Sequence, residues 1–203
     1  MKATGWFTLF NGSDLDKWVV HEGIDIDGNT LVIAPEGVCA ETGGESWDNY
    51  LLRGEFLITP KGKNPQYCVQ LTADGTCVYC QLVSHSMNIA YYCDKPKKNN
   101  KGFTHLIVPT PFRVPHKAWF TFAIRASQGR ITGIVDGKEI ASANIPIGTQ
   151  GMPGFLVNQL KDCGVKVRNI KIKFLRPTMQ QLEEFEKHPL YNWLRYKETL
   201  KKK

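Results

Sequence analysis

The chain has 203 residues, of which 42% are hydrophobic and 22% charged, with a formal net charge of +7. This length can bury a proper core within one domain of β-sandwich size, and the composition excludes a disordered chain. No segment is long and apolar enough for a membrane-spanning helix. No apolar signal segment follows Met1 and Lys2, so we expect a cytoplasmic protein if the chain is complete.

The excess positive charge is divided among three stretches, residues 95–101, 168–176 and 201–203. Separate patches favour a solvated basic surface over one phosphate-binding site. Nucleic acid is therefore a disfavoured partner. The weakest of three functional hypotheses is that the basic strand and the basic tail contact nucleic acid or an acidic partner.

Six cysteines are sparse for this length and favour reduced thiols; they are Cys39, Cys68, Cys77, Cys80, Cys93 and Cys163. Cys77 and Cys80 have C-x-x-C spacing, but in a strand these positions project to opposite faces and cannot share a metal. A disulfide from Cys68 to Cys80 across the turn at Asp74-Gly75 is geometrically conceivable. We predict no metal site and no cofactor.

The first half of the chain alternates strand-like runs with turn signals. Residues 6–20 contain two strands around a polar turn, and residues 24–33 form a hairpin. Residues 34–47 resemble a loop, and residues 48–58 return to a strand. Asp74-Gly75 separates the strands of another hairpin, at residues 67–72 and 77–83. A short run at residues 88–93 and a charged loop then follow.

Residues 117–143 form a predicted meander. In the run WFTFAIR, Trp119 and Thr121 point to one side while Phe120 and Phe122 point to the other, because successive side chains of a strand alternate. Gln128-Gly129 and Asp136-Gly137 are the predicted hairpin turns. Asp-Gly favours a type I′ turn, which needs positive φ at both central residues.

The last predicted strand spans residues 165–175, where Ile170, Ile172 and Phe174 can face a core while Lys171 and Lys173 face water. Thr178 can cap a helix that Pro189 ends. About a dozen short strands, with almost no helix before residue 178, indicate two packed antiparallel sheets. We predict an all-β sandwich domain at residues 5–176 and a short, basic helical tail at residues 177–203.

Three stretches resemble one known family. Residues 5–18, GWFTLFNGSDLDKW, are similar to the opening motif of the 3-keto-disaccharide hydrolase domain family. Residues 50–56, YLLRGEF, and residues 164–173, GVKVRNIKIK, resemble two of its later strands. The resemblance covers about residues 5–175 and implies a concanavalin A-like jelly roll, with sugars bound on the concave face.

The chain departs from that family at charged positions of the concave face. Our placement puts Leu71 where the family has an arginine and Tyr79 where it has a glutamate, and keeps Gln81. Cys163, within Asp162-Cys163-Gly164, replaces a histidine. Since glycosidic cleavage needs a positioned acid or base, these departures count against the family's chemistry.

Two functional hypotheses follow from the resemblance. The first is a hydrolase or lyase that cleaves glycosidic bonds of 3-keto or ordinary glycosides, with Glu55, Gln81 and Asp162 as catalytic residues and His85 as a further candidate. Each has an ordinary alternative, because a strand glutamate usually faces water or pairs with a lysine, and a lone histidine is usually a loop residue. Whether the protein is an enzyme is left open.

The second hypothesis is a non-catalytic, lectin-like module or a protein-interaction module. Period-2 alternation is taken to place Tyr67, Val69, Leu71, Tyr79 and Gln81 on the concave face. Aromatic rings pack on a pyranose while an amide bonds its hydroxyls. The predicted glycan-binding residues are Tyr67, Tyr79, Gln81, His85 and Trp47. The alternative is that these side chains simply fill a second face of the sandwich.

Overall fold

The computed structural model describes residues 5–10, 12, 15, 18–20, 23–33, 38–41, 49–62, 65–74, 78–93, 103–146, 149 and 153–175. Trp47 and the predicted helical tail lie outside these described residues. All regular structure in the described part is β. No helix there is long and apolar enough to cross a membrane.

Fifteen strands are present in the described residues. They are β1 (Phe7–Thr8), β2 (Val19–Val20), β3 (Ile24–Asp27), β4 (Thr30–Ile33), β5 (Val38–Glu41), β6 (Tyr50–Pro60), β7 (Gln66–Asp74), β8 (Val78–Val83), β9 (Ser86–Cys93), β10 (Phe103–Pro111), β11 (Trp119–Ser127), β12 (Arg130–Val135), β13 (Lys138–Asn144), β14 (Gly154–Lys161) and β15 (Cys163–Phe174).

The strands form two antiparallel sheets, as predicted. The first sheet has the order β13-β12-β11-β6-β15-β4-β3, with β1 added beside β15. The second has the order β10-β9-β8-β7-β14-β5-β2. Neighbours in both sheets include strands distant in sequence, such as β6 between β11 and β15. The sandwich is therefore held together by long-range pairing rather than by hairpins alone.

The two hairpin turns of the meander adopt the predicted backbone conformation. Gln128 and Gly129 have φ of 53° and 70°, and Asp136 and Gly137 have φ of 47° and 78°. Positive φ at both central residues suits the twist of the flanking strands. The second turn is also fixed by side-chain bonding, because the amide of Thr121 donates to Asp136 Oδ1 at 2.8 Å.

The core lies between the sheets, and β6 shows how alternation fills it. Tyr50, Leu52, Gly54, Phe56 and Ile58 are buried, while the residues between them are partly exposed. The Phe56 ring lies 6.3 Å from that of Phe120 and 5.7 Å from that of Phe122, between ring centroids. Both partners come from β11, so burial of one face joins the central strands of the first sheet.

Strand β15 contains a β-bulge between Arg168 and Lys171. Val165 and Val167 point into the core before the bulge, and Ile170, Ile172 and Phe174 do so after it. Asn169, within the bulge, has φ of 51°. One additional residue thus changes which positions face inward, so that both halves of the strand bury apolar side chains.

The conceivable Cys68–Cys80 disulfide is wrong. Cys68 is opposite Val83 and Cys80 is opposite Leu71 in the pairing of β7 with β8. Cys80 belongs to the core cluster, whereas Cys68 points to the other side of the sheet. Both thiols, and that of Cys163, are free.

Candidate functional site

A row of amide side chains crosses the outer side of the second sheet. Cross-strand register places Gln70 of β7 opposite Gln81 of β8, and Gln81 opposite Asn88 of β9. Directly opposite residues of an antiparallel pair lie on the same side of the sheet. We call this surface the amide face; its polar and aromatic members are Cys68, Gln70, Thr72, Tyr79, Gln81, Ser86 and Asn88.

Hydrogen bonds within the amide face orient Gln81. Its Oε1 atom accepts from Gln70 Nε2 at 3.1 Å and from the Cys68 thiol at 3.2 Å. The Gln81 amide nitrogen forms no hydrogen bond to another described residue. Because the acceptor atom is already used within the sheet, the group that Gln81 can offer to a ligand is an N–H donor.

Asn88 is oriented in the same way. The Ser86 hydroxyl donates to Asn88 Oδ1 at 3.0 Å, and Asn88 is 8% exposed. Its amide nitrogen is the remaining donor group. The two donor groups therefore lie on adjacent strands, and neighbouring strands of a sheet are spaced about 5 Å apart.

Thr72 has a buried hydroxyl without a partner among the described residues. It lies opposite Tyr79 on one side and Gly154 on the other. An unsatisfied buried hydroxyl costs about 1–3 kcal/mol. Because Thr72 is fully buried, this cost lowers the stability of the folded protein.

The amide face is polar but uncharged at its centre. The described side chains that β7, β8 and β9 direct to it include no Asp, Glu, Lys or Arg. Among all described residues, no group of three or more His, Cys, Asp or Glu side chains could hold a metal ion. The chemistry available on the face is hydrogen bonding by neutral groups beside an aromatic ring.

Tyr67 does not share the face of Tyr79 and Gln81, and the prediction that it does is wrong. Tyr67, Val69 and Leu71 are all part of the core cluster. The physical reason is the register, which pairs even-numbered residues of β7 with odd-numbered residues of β8. The side chains of β7 that point outward are consequently Cys68, Gln70 and Thr72.

Tyr67 lies instead at one end of the sandwich. Its hydroxyl bonds His116 Nε2 at 2.8 Å, and the two rings meet edge to face. Burial, together with the neighbouring Cys163, raises the pKa of Tyr67. Burial lowers the pKa of His116, and the positive charges of Arg113, His85 and Lys117 add to this effect. Neutral His116 can therefore accept a hydrogen bond from the Tyr67 hydroxyl through Nε2.

Glu55 points outward from the first sheet, on the opposite side of the sandwich from Gln81. Arg168 Nε donates to Glu55 Oε2 at 2.8 Å. Burial raises the pKa of Glu55, but hydrogen bonds from Arg168 and Asn169 and nearby positive charge outweigh burial, and the pKa is lowered. Glu55 is an ion-paired carboxylate that shares no surface with Gln81.

Asp162 and His85 occupy turns rather than the amide face. Asp162 is exposed between β14 and β15 with φ of 50°, and its carbonyl accepts from the amide of Lys61 at 2.7 Å. His85 is exposed between β8 and β9, and its carbonyl accepts from the amide of Phe112 at 3.0 Å. The structure does not bring Glu55, Gln81 and Asp162 together.

Five members of the amide face were missed by the sequence reasoning: Cys68, Gln70, Thr72, Ser86 and Asn88. The signal was present in β7, where Tyr67, Val69 and Leu71 are apolar and the residues between them are polar. Polar residues on two paired strands belong on the same side when the other side is a core. Applying that rule would have placed Gln70 beside Gln81.

Several solved structures share the fold over most of their length. The carbohydrate-binding module CBM66 from Bacillus subtilis has a TM-score of 0.55 and 11% identity, covering 84% of this chain and 96% of the module. A Bacillus subtilis protein of unknown function with a galectin-like fold has a TM-score of 0.60 and 12% identity, with coverages of 85% and 96%. These likenesses support the predicted jelly roll.

The Crh5 transglycosylase in complex with NAG gives a TM-score of 0.57 at 13% identity, covering 86% of this chain and 85% of the enzyme. No curated protein matches the chain in sequence. The model of the 3-keto-disaccharide hydrolase family, described as a 3-keto-alpha-glucoside-1,2-lyase-like domain, matches residues 5–173. That match confirms the resemblance of the three sequence stretches and supports a sugar-related role: the chain belongs to the 3-keto-alpha-glucoside-1,2-lyase-like domain family.

Proposed function

We propose that the amide face binds an uncharged saccharide and does not cleave it. The observation that carries this proposal is the row of Gln70, Gln81 and Asn88 beside Tyr79, with the Gln81 oxygen already bonded within the sheet. Neutral amides of fixed orientation suit sugar hydroxyls, and an aromatic ring suits the apolar side of a pyranose. Family membership supports the sugar class of the ligand.

Binding is favoured over cleavage by the position of the carboxylates. Cleavage of a glycosidic bond uses an acid and a base or nucleophile within reach of one bond. Glu55 is on the opposite sheet in an ion pair with Arg168, and Asp162 is in an end turn. Gln81 cannot replace them, because a carboxamide is too weak an acid and too weak a base to serve in proton transfer at neutral pH.

We expect Gln81→Ala and Tyr79→Ala each to weaken binding of a neutral glycan about tenfold, since each removes a hydrogen bond or a stacking surface worth about 1–1.5 kcal/mol. Ligands are first found on an array of neutral glycans and then titrated by calorimetry. Asn144→Ala is the matched control, because this exposed amide lies on β13 in the first sheet. Wild-type affinity in both site variants would contradict the proposal.

The non-catalytic part of the proposal has its own measurement. The wild-type protein is incubated with 3-keto-glucosides and ordinary disaccharides, and released monosaccharide is followed by chromatography. We expect no turnover above the uncatalysed rate. Turnover that is lost in Glu55→Gln, with Asn144→Ala unaffected, would instead assign catalysis to the first sheet.

Thr72→Val should raise stability and leave binding unchanged. Valine has nearly the same shape but removes the unpartnered hydroxyl, so we expect the free energy of unfolding to rise by about 1 kcal/mol or more. Glycan affinity should stay at the wild-type value, because the fully buried hydroxyl is out of reach of a ligand. Urea denaturation and calorimetry measure the two quantities. Loss of stability would show that the hydroxyl has a partner in the folded protein.

A further inference from the structure

The outer side of the first sheet collects positive charge along β6 and β15, on the surface opposite the amide face. We call it the basic face; its members are Arg53, Lys166, Arg168, Lys171 and Lys173. Two of them are in ion pairs, Lys166 with Asp27 at 3.3 Å and Arg168 with Glu55 at 2.8 Å. The other three form no ion pair with any described residue.

These three unpaired cations are neighbours. Lys171 is directly opposite Arg53 in the pairing of β15 with β6. Lys173 lies two residues further along the same strand, about 7 Å away. Like charges placed opposite each other on a sheet repel and reduce stability. Glu55, two residues from Arg53 on β6, offsets part of this repulsion, and an anion bound between the three cations would offset more of it.

Tryptophan rings hold the two arginines of the basic face in position. The Arg53 guanidinium lies 4.2 Å from the centroid of a Trp6 ring, and that of Arg168 lies 4.0 Å from a Trp119 ring. A guanidinium stacked on an aromatic ring keeps its N–H edges available for a carboxylate or sulfate. Arginine pairs with such anions in a bidentate geometry. The face thus offers Arg53 as a fixed arginine without an ion pair, whereas Arg168 is already bonded to Glu55.

We propose that the basic face binds an acidic polysaccharide, with its carboxylate or sulfate groups at Arg53, Lys171 and Lys173. This site is separate from the amide face and does not depend on the function proposed there. A polymer suits the arrangement because Arg53, Lys171 and Lys173 follow one another across β6 and β15, away from the Arg168–Glu55 ion pair. A single small anion would occupy only one of these positions.

A polysaccharide fits better than single-stranded nucleic acid. Proteins that bind single strands without sequence preference stack successive bases on aromatic rings. Here both Trp6 and Trp119 already carry a guanidinium on one side of the ring. The family's sugar-related role points in the same direction.

The test measures binding of polygalacturonate and dextran sulfate by fluorescence anisotropy, with uncharged dextran and single-stranded RNA as comparison ligands. We expect both acidic polysaccharides to bind, with affinity falling steeply as salt rises. The double variant Lys171→Gln/Lys173→Gln should lose about tenfold in affinity and show a weaker salt dependence, because two cations are removed. Glutamine is uncharged and keeps part of the apolar stem of each half-buried side chain.

Lys138→Gln is the matched control, because Lys138 is an exposed lysine at the start of β13. It should bind as the wild type does. Tighter binding of single-stranded RNA than of polysaccharides would overturn the proposal in favour of nucleic acid. Absence of acidic-polysaccharide binding, or equal losses in Lys138→Gln and the double variant, would also overturn it. Titration of a neutral glycan on the double variant keeps this test separate from that of the amide face.

Discussion

Phe56→Ala is expected to lower the free energy of unfolding by about 3–5 kcal/mol, the largest effect that we predict for a single substitution. Phe56 is fully buried and contacts the rings of Phe120 and Phe122 on the neighbouring strand. Truncation removes the apolar area and leaves a cavity between β6 and β11. Urea denaturation followed by circular dichroism measures the change.

Leu57→Ala is the control for Phe56, because Leu57 is the next residue of β6 and points outward. Its truncation should cost less than about 1 kcal/mol, as is usual for a partly exposed side chain. Equal losses in the two variants would contradict the assignment of the core to one side of β6. The pair therefore tests the sandwich as well as one side chain.

Gly133→Ala is expected to destabilise the protein by about 1–3 kcal/mol through overpacking. A Cβ atom at Gly133 would overlap Met87 Sδ and Cys80 Sγ, which belong to the opposite sheet. The two sheets approach closely here because β12 has no side chain at this position. Thermal and urea unfolding would measure the loss.

Two further variants make the Gly133 prediction specific. Gly164→Ala is the control, since a Cβ there would lie 3.7 Å from Lys61 Cε, an ordinary contact distance. In the double variant Gly133→Ala/Cys80→Ala one of the two overlapping sulfur atoms is absent. The combined loss should then be smaller than the sum of the single losses. Simple additivity would indicate that the alanine is accommodated without contact with Cys80.

The two-sheet fold could be predicted because its turns and its first-sheet strands carry strong local signals. Asp136-Gly137 specified a hairpin turn, and alternation in β11 and in the second half of β15 specified which residues are buried. The order of strands could not be predicted in this way. The neighbours of β6 are β11 and β15, and pairing over such sequence distances leaves no local pattern.

The candidate site was predicted only in part because it depends on the register between β7 and β8. Tyr79 and Gln81 were placed on one face, as the structure has them. Tyr67 was added by assuming that odd-numbered residues of both strands point the same way. A register shift between Thr72 and Asp74 accompanies the actual pairing, in which Gln70 lies opposite Gln81. Residue numbering alone cannot reveal how many residues a turn or bulge contains.

The predicted catalytic set had a different limitation. Glu55 and Gln81 lie on different strands and were grouped by the family resemblance. In the structure they belong to different sheets, so the core of the sandwich lies between them. Sheet membership is a property of long-range pairing. Local sequence could show that each side chain points away from the core, but not that the two belong to different sheets.

The bulge in β15 limits how the length of this strand can change during evolution. Losing Asn169 itself would remove the bulge and leave Val167, Arg168 and Ile170 in regular alternation, with the apolar side chains still facing inward. Losing Lys171 instead, beyond the bulge, would turn Lys173 toward the hydrophobic interior and expel Ile172 and Phe174 into solvent. Related chains should therefore carry single-residue gaps in this strand at the bulge, and differ elsewhere in it by substitution.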